Sequence, residues 1–331
     1  MTASPLTAPG RFRDREITFA NGSAGENIDI PSANPRNYYQ AISPPAEMQA
    51  VTIDGKLFLP RKTSGKGPLP LVIVVPGSLG VAASHVGHAE KLTDIGIAAF
   101  VLDPFGARGI GSTVANQTQY SFAASAWDVL AAWKVLSARS DIDAARIGAQ
   151  GHSRGGAAVL TAAARRFADP IVGPGRGLRA VLGGYPWCGH QFLNPGVGTT
   201  EVRVLIGDRD DWCSPMQVQG HVQAMRLAGG KVSMRLFAGA AHSFDRDNTP
   251  LQRIPEASVS PGAPTMYLAD DGSFIHPLEA TPRPDLVDRD LMVYGLKAGY
   301  GSKGAHIGGS NELAALFRAD MLDFWRRTLL G

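Results

Sequence analysis

Cysteine is scarce in this chain, which has only Cys188 and Cys213 among its 331 residues. Two cysteines at this spacing match no zinc-binding pattern, and the sequence predicts neither a metal site nor a cofactor. We expect both side chains to be buried thiols. A single disulfide between them is the alternative, because each follows a predicted strand and the two strands could be neighbours in a sheet.

Long apolar runs and a strong excess of one charge are also missing. No apolar stretch approaches the length of a membrane span, and residues 1–21 lack the charged start and apolar stretch of a signal peptide. The formal net charge of +3 is spread along the chain without a basic stripe. We therefore expect neither a membrane nor a nucleic-acid partner, and a cytoplasmic location.

The composition supplies enough apolar residues for a large core. Hydrophobic residues make up 44% of the 331 residues, which suits one large domain. Residues 1–45 are rich in Pro, Ser, Asn and Gly and are predicted to form an extended arm on that domain. Residues 46–331 are predicted to form a single domain, with an irregular insertion at about 246–309 and a helix at the C-terminus.

Strand-like and helix-like patterns alternate through the middle of the chain. A β-hairpin with an Asp-Gly turn at residues 54–55 is predicted first. Buried strands are then predicted at residues 71–75, 98–102, 180–182, 202–206 and 231–237, with helices between them. This alternation predicts an α/β fold with a mostly parallel central sheet and helices on both faces. Ligands bind such sheets beyond the carboxyl ends of the strands.

One motif lies where a predicted strand meets a predicted helix. Residues 151–155 read Gly-His-Ser-Arg-Gly, and Gly-x-Ser-x-Gly in this context is a nucleophile elbow. The strand reverses sharply into the helix and brings neighbouring backbone so close that a Cβ at either flanking position would clash. The turn leaves the central hydroxyl exposed at its tip. Ser153 is therefore predicted to be a nucleophile.

A serine nucleophile needs a base, normally a histidine that is oriented by a carboxylate. In proteins with this elbow, the acid and then the base follow the serine along the chain. Among the eight histidines, only His242 lies in a short loop directly after a predicted strand and downstream of an acidic loop. His85 and His88 precede the serine and are predicted at the surface or an interface, whereas His152 is expected to pack within the elbow. His242 is the predicted base.

The acid is expected in the loop after the strand at residues 202–206, which contains Asp208, Asp210 and Asp211. Asp208 directly follows the strand, and Asp211 lies close to the start of the next helix, where the helix dipole favours a carboxylate. Asp210 lies at the apex of the loop and is free to point towards the base. Asp210 is the favoured candidate, and the other two remain alternatives.

An oxyanion hole requires two backbone N–H donors aimed at the developing negative charge. One is predicted to be the amide of Arg154, directly after the serine. The second is predicted at Ser78 or Leu79, in the glycine-containing loop after the strand at residues 71–75. Loops at the same sheet edge carry four residues that are predicted to bind the substrate, namely Phe105, Arg108, Trp187 and Trp212.

These motifs resemble the dienelactone hydrolase family of the α/β-hydrolase superfamily over roughly residues 48–245. Besides the elbow, the resemblance rests on Asp-Pro-Phe-Gly-Ala-Arg-Gly at 103–109, Tyr-Pro-Trp-Cys at 185–188, Gly-Asp-Arg-Asp-Asp-Trp at 207–212 and Gly-Ala-Ala-His-Ser-Phe-Asp at 239–245. It implies an α/β-hydrolase fold and metal-free hydrolysis of carboxylic esters by Ser153, Asp210 and His242. Dienelactone hydrolase itself uses a cysteine nucleophile, so its substrate is not expected here.

The predicted function is hydrolysis of a small-molecule ester through an acyl-enzyme. A peptidase or amidase and an acyltransferase would use the same triad, and they remain alternatives. A non-catalytic binding protein of the same fold is a further alternative, but it predicts a damaged triad. All three triad positions carry chemically competent side chains.

Overall fold

The structure is a computed structural model, and it describes residues 11–43, 47–61 and 67–331. Within these ranges, no helix combines the length and the apolar character that crossing a membrane requires. The parts of the predicted arm at residues 1–10 and 44–45 lie outside the described ranges.

Strands and helices alternate along the chain from β3 to α4, and further on some strands and helices follow one another directly. The strands are β1 (Gly25–Asn34), β2 (Gln49–Phe58), β3 (Leu69–Val75), β4 (Ala98–Asp103), β5 (Ile142–His152), β6 (Ala180–Gly184), β7 (His190–Phe192), β8 (Glu201–Gly207), β9 (Val232–Phe237), β10 (Gln252–Val259), β11 (Met266–Leu268), β12 (Phe274–Ile275) and β13 (Ser302–Ile307). The helices are α1 (Tyr38–Ile42), α2 (Ala83–Asp94), α3 (Phe122–Ser137), α4 (Arg154–Ala163), α5 (Arg165–Val172), α6 (Pro215–Leu227), α7 (Asp288–Lys297) and α8 (Asn311–Trp325).

The main sheet has eight strands in the order β1-β2-β4-β3-β5-β6-β8-β9. The six strands from β4 to β9 in this order pair in parallel, whereas β1 and β2 pair antiparallel at one edge. The central strands are runs of apolar residues that are buried throughout, as expected for parallel strands covered on both faces. The predicted mostly parallel sheet is confirmed.

Helices cover the sheet on both faces because the chain changes direction after β4. The connection from β3 to β4 runs towards one edge of the sheet, and the connection from β4 to β5 runs towards the other. Right-handed crossovers in opposite directions place their helices on opposite faces. This agrees with the packing, since α2 contacts α8 and α3 contacts α4.

The predicted hairpin around residues 54–55 is wrong. β2 runs without a turn through Asp54 and Gly55 and pairs with β1 on one side and β4 on the other. Glycine is needed here for close packing, because a Cβ on Gly55 would meet the ring of Phe100 in β4. Asp54 is fully buried and pairs with Arg11 and Arg13, so it serves as an anchor for the N-terminal segment.

The description of residues 1–45 as an extended arm also requires correction. Residues 25–34 form β1, an edge strand of the main sheet that pairs with the whole length of β2. Ile30 in this strand is fully buried in the core. Pairing with β2 and burial of this apolar side chain therefore make the second half of the predicted arm part of the folded domain.

The segment 246–309, which we call the insertion, is more ordered than predicted. It contains β10 to β13 and α7, and β10 pairs antiparallel with β13. β11 of the insertion pairs in parallel with β7, so the insertion is attached to the domain by backbone hydrogen bonds. The predicted C-terminal helix is α8, which buries Phe317, Met321 and Phe324 in the core.

Candidate active site

The elbow has the strained backbone that its sequence predicts. Ser153 lies between β5 and α4 with φ 56° and ψ −115°, a conformation that non-glycine residues rarely adopt. A Cβ on Gly151 would overlap the carbonyl of Gly155, and one on Gly155 would overlap the carbonyl of Val75. The backbone N–H of Ser153 donates to the carbonyl of Gly184 at 2.9 Å, which ties the elbow to β6.

A continuous hydrogen-bonded arrangement links Ser153, His242 and Asp210. Nε2 of His242 lies 3.0 Å from Oγ of Ser153, and its Nδ1 lies 2.8 Å from Oδ2 of Asp210. All three side chains are buried, with 8%, 2% and 5% of the residue exposed for Ser153, His242 and Asp210. This geometry lets the imidazole accept the serine proton while the carboxylate holds the opposite nitrogen.

The three aspartates of the acidic loop have different partners. Oδ1 of Asp210 accepts hydrogen bonds from the backbone N–H groups of Trp212 and Cys213, at 3.0 and 2.8 Å, which leaves Oδ2 facing His242. Asp208 instead accepts from the backbone of Gly239 at 2.7 Å. The structure therefore brings Asp210 to the histidine and turns Asp208 away from it.

Asp211 joins the acidic loop to the insertion. Its Oδ2 lies 2.7 Å from Nδ1 of His306, and its Oδ1 accepts from the backbone N–H of the same residue at 2.9 Å. The next residue of β13, Ile307, forms a parallel bridge with His242, and Gly308 donates to the carbonyl of His242 at 2.8 Å. The insertion thus holds the loops of both Asp210 and His242.

The predicted oxyanion donors lie around Ser153. Arg154 is the first residue of α4, directly after Ser153. Ser78 and Leu79 border a small cavity together with Ser153 and His242. Gly77 lets this loop approach the elbow, because a Cβ there would lie 3.2 Å from Cβ of Ser153.

A larger cavity of about 390 Å³ opens beside Ser153. Trp187 and Trp212, both predicted to bind substrate, lie in its wall. Most of its surface is contributed by apolar side chains, among them Phe122, Met266 and Leu291. Its volume falls within the range of about 300–1,000 Å³ that is typical of small-molecule sites.

Phe105 and Arg108 do not lie in the wall of this cavity, which corrects their predicted contact with substrate. Phe105 is buried against the ring of Tyr120, with 5.7 Å between the ring centroids. The guanidinium of Arg108 donates to both carboxylate oxygens of the buried Asp128 in α3, at 2.8 and 3.0 Å. This ion pair draws the loop after β4 inward, away from the rim.

His85 and His88 are buried, with 2% and 3% of each residue exposed, so their predicted surface position is wrong. Together with His152 they form a histidine cluster behind the elbow, where neighbouring ring centroids lie 4.9 and 5.0 Å apart. Burial lowers the pKa of all three, to about 3 for His152. These imidazoles are therefore neutral, and His152 packs within the elbow region as predicted.

Gln150 orients two of these histidines. Nε1 of Trp325 donates to Oε1 of Gln150 at 2.8 Å, which leaves the amide nitrogen of Gln150 as the donor to its other neighbours. That nitrogen lies 2.9 Å from Nδ1 of His88 and 3.2 Å from Nε2 of His152. Because both ring nitrogens must accept, the proton of His88 is placed on Nε2, which lies 3.4 Å from Oδ2 of Asp245.

Two groups among the described residues bring metal-ligating atoms within 4.8 Å of one another. One is His88, His152 and Asp245, and the other is Asp210, Cys213 and His242. In the first group Gln150 donates to both imidazoles, and the second group contains the hydrogen-bonded acid and base described above. Hydrogen bonds within the protein thus account for the positions of His88 and His152 in the first group and of Asp210 and His242 in the second.

Cys188 and Cys213 are free and buried, which confirms the prediction of two thiols rather than a disulfide. Burial raises the pKa of both side chains, so neither thiolate forms readily at neutral pH. Cys213 nevertheless lies in the wall of the large cavity.

Two functional candidates lie in this cavity that the sequence does not indicate. His190 comes from β7 and Asp288 from the start of α7, and both lie in the wall, where Asp288 is buried and His190 is half-buried. Burial lowers the pKa of His190 to about 3, with a further contribution from nearby Arg154, and burial raises the pKa of Asp288 to about 6. No local pattern marks either residue, because each reaches the cavity only through the fold of the insertion against the domain.

This protein has the fold of an α/β-hydrolase. The class is defined by the strand order of the sheet, by the elbow at Ser153, and by Asp210 and His242 following that serine along the chain. The chain belongs to the dienelactone hydrolase family, whose family model matches residues 53–260. This confirms the resemblance seen in the motifs.

The curated relatives are distant, and each is matched over only part of its length. The uncharacterised peptidase YuxL of Bacillus subtilis (strain 168) is 24% identical over 248 residues, which cover 64% of this chain and 37% of the relative. An uncharacterised protein of Mycobacterium tuberculosis (strain CDC 1551 / Oshkosh) is 31% identical over 161 residues, which cover 47% of this chain and 54% of the relative. The chain therefore spans about half or less of the length of these relatives.

Solved structures show the same fold. A protein named m3DLH is 19% identical with a TM-score of 0.51, and the match covers 68% of this chain and 86% of that one. A dienelactone hydrolase-like promiscuous phosphotriesterase from metagenomic libraries is also 19% identical, with a TM-score of 0.49 and coverage of 68% and 86%. At 19% identity, the likeness to m3DLH supports the fold of the described domain and no more.

Proposed function

We propose that this protein is a serine esterase that hydrolyses small carboxylic esters through an acyl-enzyme intermediate. The observation that carries the proposal is the chain of two hydrogen bonds, of 3.0 and 2.8 Å, from Ser153 through His242 to Asp210. Ser153 borders the cavity of about 390 Å³, so a bound ester can reach the nucleophile.

In the proposed reaction, Nε2 of His242 removes the proton of Ser153 as Oγ attacks the ester carbonyl. The N–H group at Nδ1 keeps donating its hydrogen bond to Asp210, and this carboxylate stabilises the imidazolium. The backbone N–H of Arg154 and that of Ser78 or Leu79 stabilise the oxyanion. His242 then donates its proton to the departing alcohol, and a water molecule that it deprotonates releases the acid from Ser153.

The cavity favours an apolar substrate of modest size. Its apolar walls favour apolar acyl or alcohol groups, and its volume suits a group of small-molecule size rather than a long chain. The ring of Trp212 lies 5.1 Å from that of His242, so this side chain limits the space directly beside the base.

A panel of p-nitrophenyl esters of increasing acyl length tests the proposal. The wild type is expected to hydrolyse the short esters and to lose kcat/KM as the acyl chain outgrows the cavity. Ser153→Ala is expected to lower kcat by at least about 10⁴-fold while the far-ultraviolet circular dichroism stays unchanged. Ser140→Ala, at an exposed serine, is the matched control and keeps wild-type activity. Wild-type turnover by Ser153→Ala would overturn the proposal.

Peptide or amide hydrolysis is the second candidate, because one of the relatives is named a peptidase. The same triad would attack an amide, so p-nitroanilides matched to the best ester distinguish the two activities. We expect the esters to be cleaved much faster than their anilides. Comparable kcat/KM values for peptidyl anilides and esters would make peptidase the better description.

A further inference from the structure

The insertion contributes a buried carboxyl group to the wall of the substrate cavity. Asp288, the first residue of α7, lines the same cavity as Ser153 and is 7% exposed. Buried carboxyl groups are rare unless both oxygens have partners, because an unsatisfied acceptor is destabilising.

Only one oxygen of Asp288 has such a partner. Oδ2 accepts a hydrogen bond of 2.8 Å from the backbone N–H of Phe122, at the start of α3. Among residues 11–43, 47–61 and 67–331, Oδ1 has no hydrogen-bond partner. The nearest ring nitrogen is Nδ1 of His190, which lies 3.9 Å away and already lies 3.3 Å from the hydroxyl of Tyr38. The contact between α7 and α3 therefore gives Oδ2 a hydrogen-bond donor, whereas Oδ1 has no donor among the described residues.

The groups around Asp288 indicate which ligands would suit Oδ1. Phe122 and Trp187 stack at a centroid distance of 4.2 Å, and the ring of His190 lies edge-on to Trp187 at 4.7 Å. These rings form an apolar wall for a flat group. The guanidinium of Arg154 lies over the ring of Phe122, 4.1 Å from its centroid, and this positive charge disfavours a cationic ligand. A neutral hydrogen-bond donor on an apolar body meets both conditions.

We propose that Asp288 is a specificity-determining residue that accepts a hydrogen bond from a hydroxyl group carried by the ester substrate away from its scissile carbonyl. This inference rests on the proposed esterase function and narrows its substrate class to hydroxylated, largely apolar esters.

The protonation states of Asp288 and His190 agree with this role. Burial raises the pKa of Asp288 to about 6, so the group is a carboxylate at pH 8 and accepts more strongly than a neutral group. Burial lowers the pKa of His190 to about 3, which leaves its ring neutral and unable to form an ion pair with Asp288. No ion pair with His190 therefore competes for the carboxylate.

The test compares matched esters at pH 8. One set is the p-nitrophenyl ester of 3-phenylpropanoic acid and its meta- and para-hydroxyphenyl counterparts, and a second set carries the hydroxyl group on a benzyl alcohol portion. The ratio of kcat/KM for the hydroxylated ester to that for its parent is measured in each set. Wild type is expected to prefer at least one hydroxylated ester by about tenfold or more.

Two variants separate substrate recognition from packing. Asp288→Asn keeps an acceptor for the backbone N–H of Phe122 and replaces only the free oxygen by an N–H₂ group, and Asp288→Ala removes both oxygens. Both variants are expected to lose most of the preference for the hydroxylated ester, measured as the ratio of its kcat/KM to that of the parent ester in the same variant. Asp290→Asn, at an exposed position on the same helix, keeps the wild-type ratio.

The outcomes distinguish this inference from the function on which it rests. A wild type that hydrolyses the parent esters but shows no preference for any hydroxylated ester would overturn the role of Asp288 alone. An unchanged ratio in Asp288→Asn would also overturn it, because the residue would then serve only to pack α7 against α3. Absence of activity on every ester, parent compounds included, would instead contradict the esterase function.

Discussion

The hydroxyl group of Tyr185 donates a hydrogen bond of 2.7 Å to Oδ1 of Asp245, and both residues are buried. Tyr185 directly follows β6 and has a positive φ of 37°, which turns its side chain towards the loop after β9. Its ring lies edge-on to that of His242 with 4.7 Å between the centroids. The bond therefore joins the end of β6 to the loop that carries His242.

Tyr185→Phe is expected to lower the free energy of unfolding by about 1–3 kcal/mol, because it leaves a buried carboxylate oxygen without its donor. Equilibrium unfolding in urea measures the change. Tyr267→Phe, at a tyrosine that is 44% exposed, is the control and should stay within about 0.5 kcal/mol of wild type. Equal stabilities for the two variants would show that the bond contributes little.

Two glycine substitutions test the geometry of the elbow. Gly155→Ala is expected to give little or no folded protein, because the new Cβ would overlap the carbonyl groups of Val75 and Pro76. Gly87→Ala, in α2, places its Cβ in open space and is expected to stabilise the protein by about 0.5–1 kcal/mol. The stabilities of the two variants and of wild type are compared by thermal unfolding of the soluble protein. A Gly155→Ala variant as stable as wild type would contradict the close approach of β3 and α4.

The buried carboxyl group of Asp288 predicts a pH-dependent difference in stability. Burial raises its pKa in the folded state from 3.8 to about 6. The protonated carboxyl group stabilises the folded protein relative to the ionised one, and this contribution is fully present below the unfolded-state pKa of 3.8. It is lost as the pH rises through about 6, because the folded protein must then ionise a buried group. Asp288→Asn avoids that ionisation, so it is expected to be more stable than wild type by about 2–3 kcal/mol at pH 8.

Urea unfolding at pH 8 and pH 4.5 measures this difference, with Asp290→Asn as the exposed control on the same helix. The advantage of Asp288→Asn should be largest at pH 8 and should shrink as the pH falls towards 4.5. If Asp288→Asn is more stable than wild type by the same amount at both pH values, ionisation of Asp288 does not cause the difference in stability.

The candidate triad could be predicted because each member carries a local signal. Ser153 lies between two glycines at a strand–helix junction, and Asp210 and His242 lie in short loops that directly follow strands. The carboxyl ends of parallel strands meet at one edge of a sheet, so residues far apart in sequence can be placed together without a structure. Only the selection among the neighbouring aspartates required the hydrogen bonds of Asp210.

The substrate side of the cavity could not be predicted in the same way. Arg108 lies on a loop at the correct sheet edge, but its ion pair with Asp128 turns it inward, and local patterns do not reveal which distant partner a side chain selects. Asp54 and Gly55 resemble a turn, yet the pairing of β2 with both neighbours keeps them in a strand. Asp288 reaches the cavity through the packing of α7 against α3, which depends on the whole insertion.

Covalent labelling of Ser153 tests the central claim most directly. The purified protein is treated with a fluorophosphonate that reacts with activated serines, and the adduct is located by intact-mass and peptide mass spectrometry while the remaining esterase activity is followed. We expect one adduct per chain, on the peptide that contains Ser153, with loss of activity in proportion to labelling, and no adduct on Ser153→Ala. An active enzyme that is labelled on another residue, or that stays unlabelled and fully active, would contradict the assignment of Ser153 as the nucleophile.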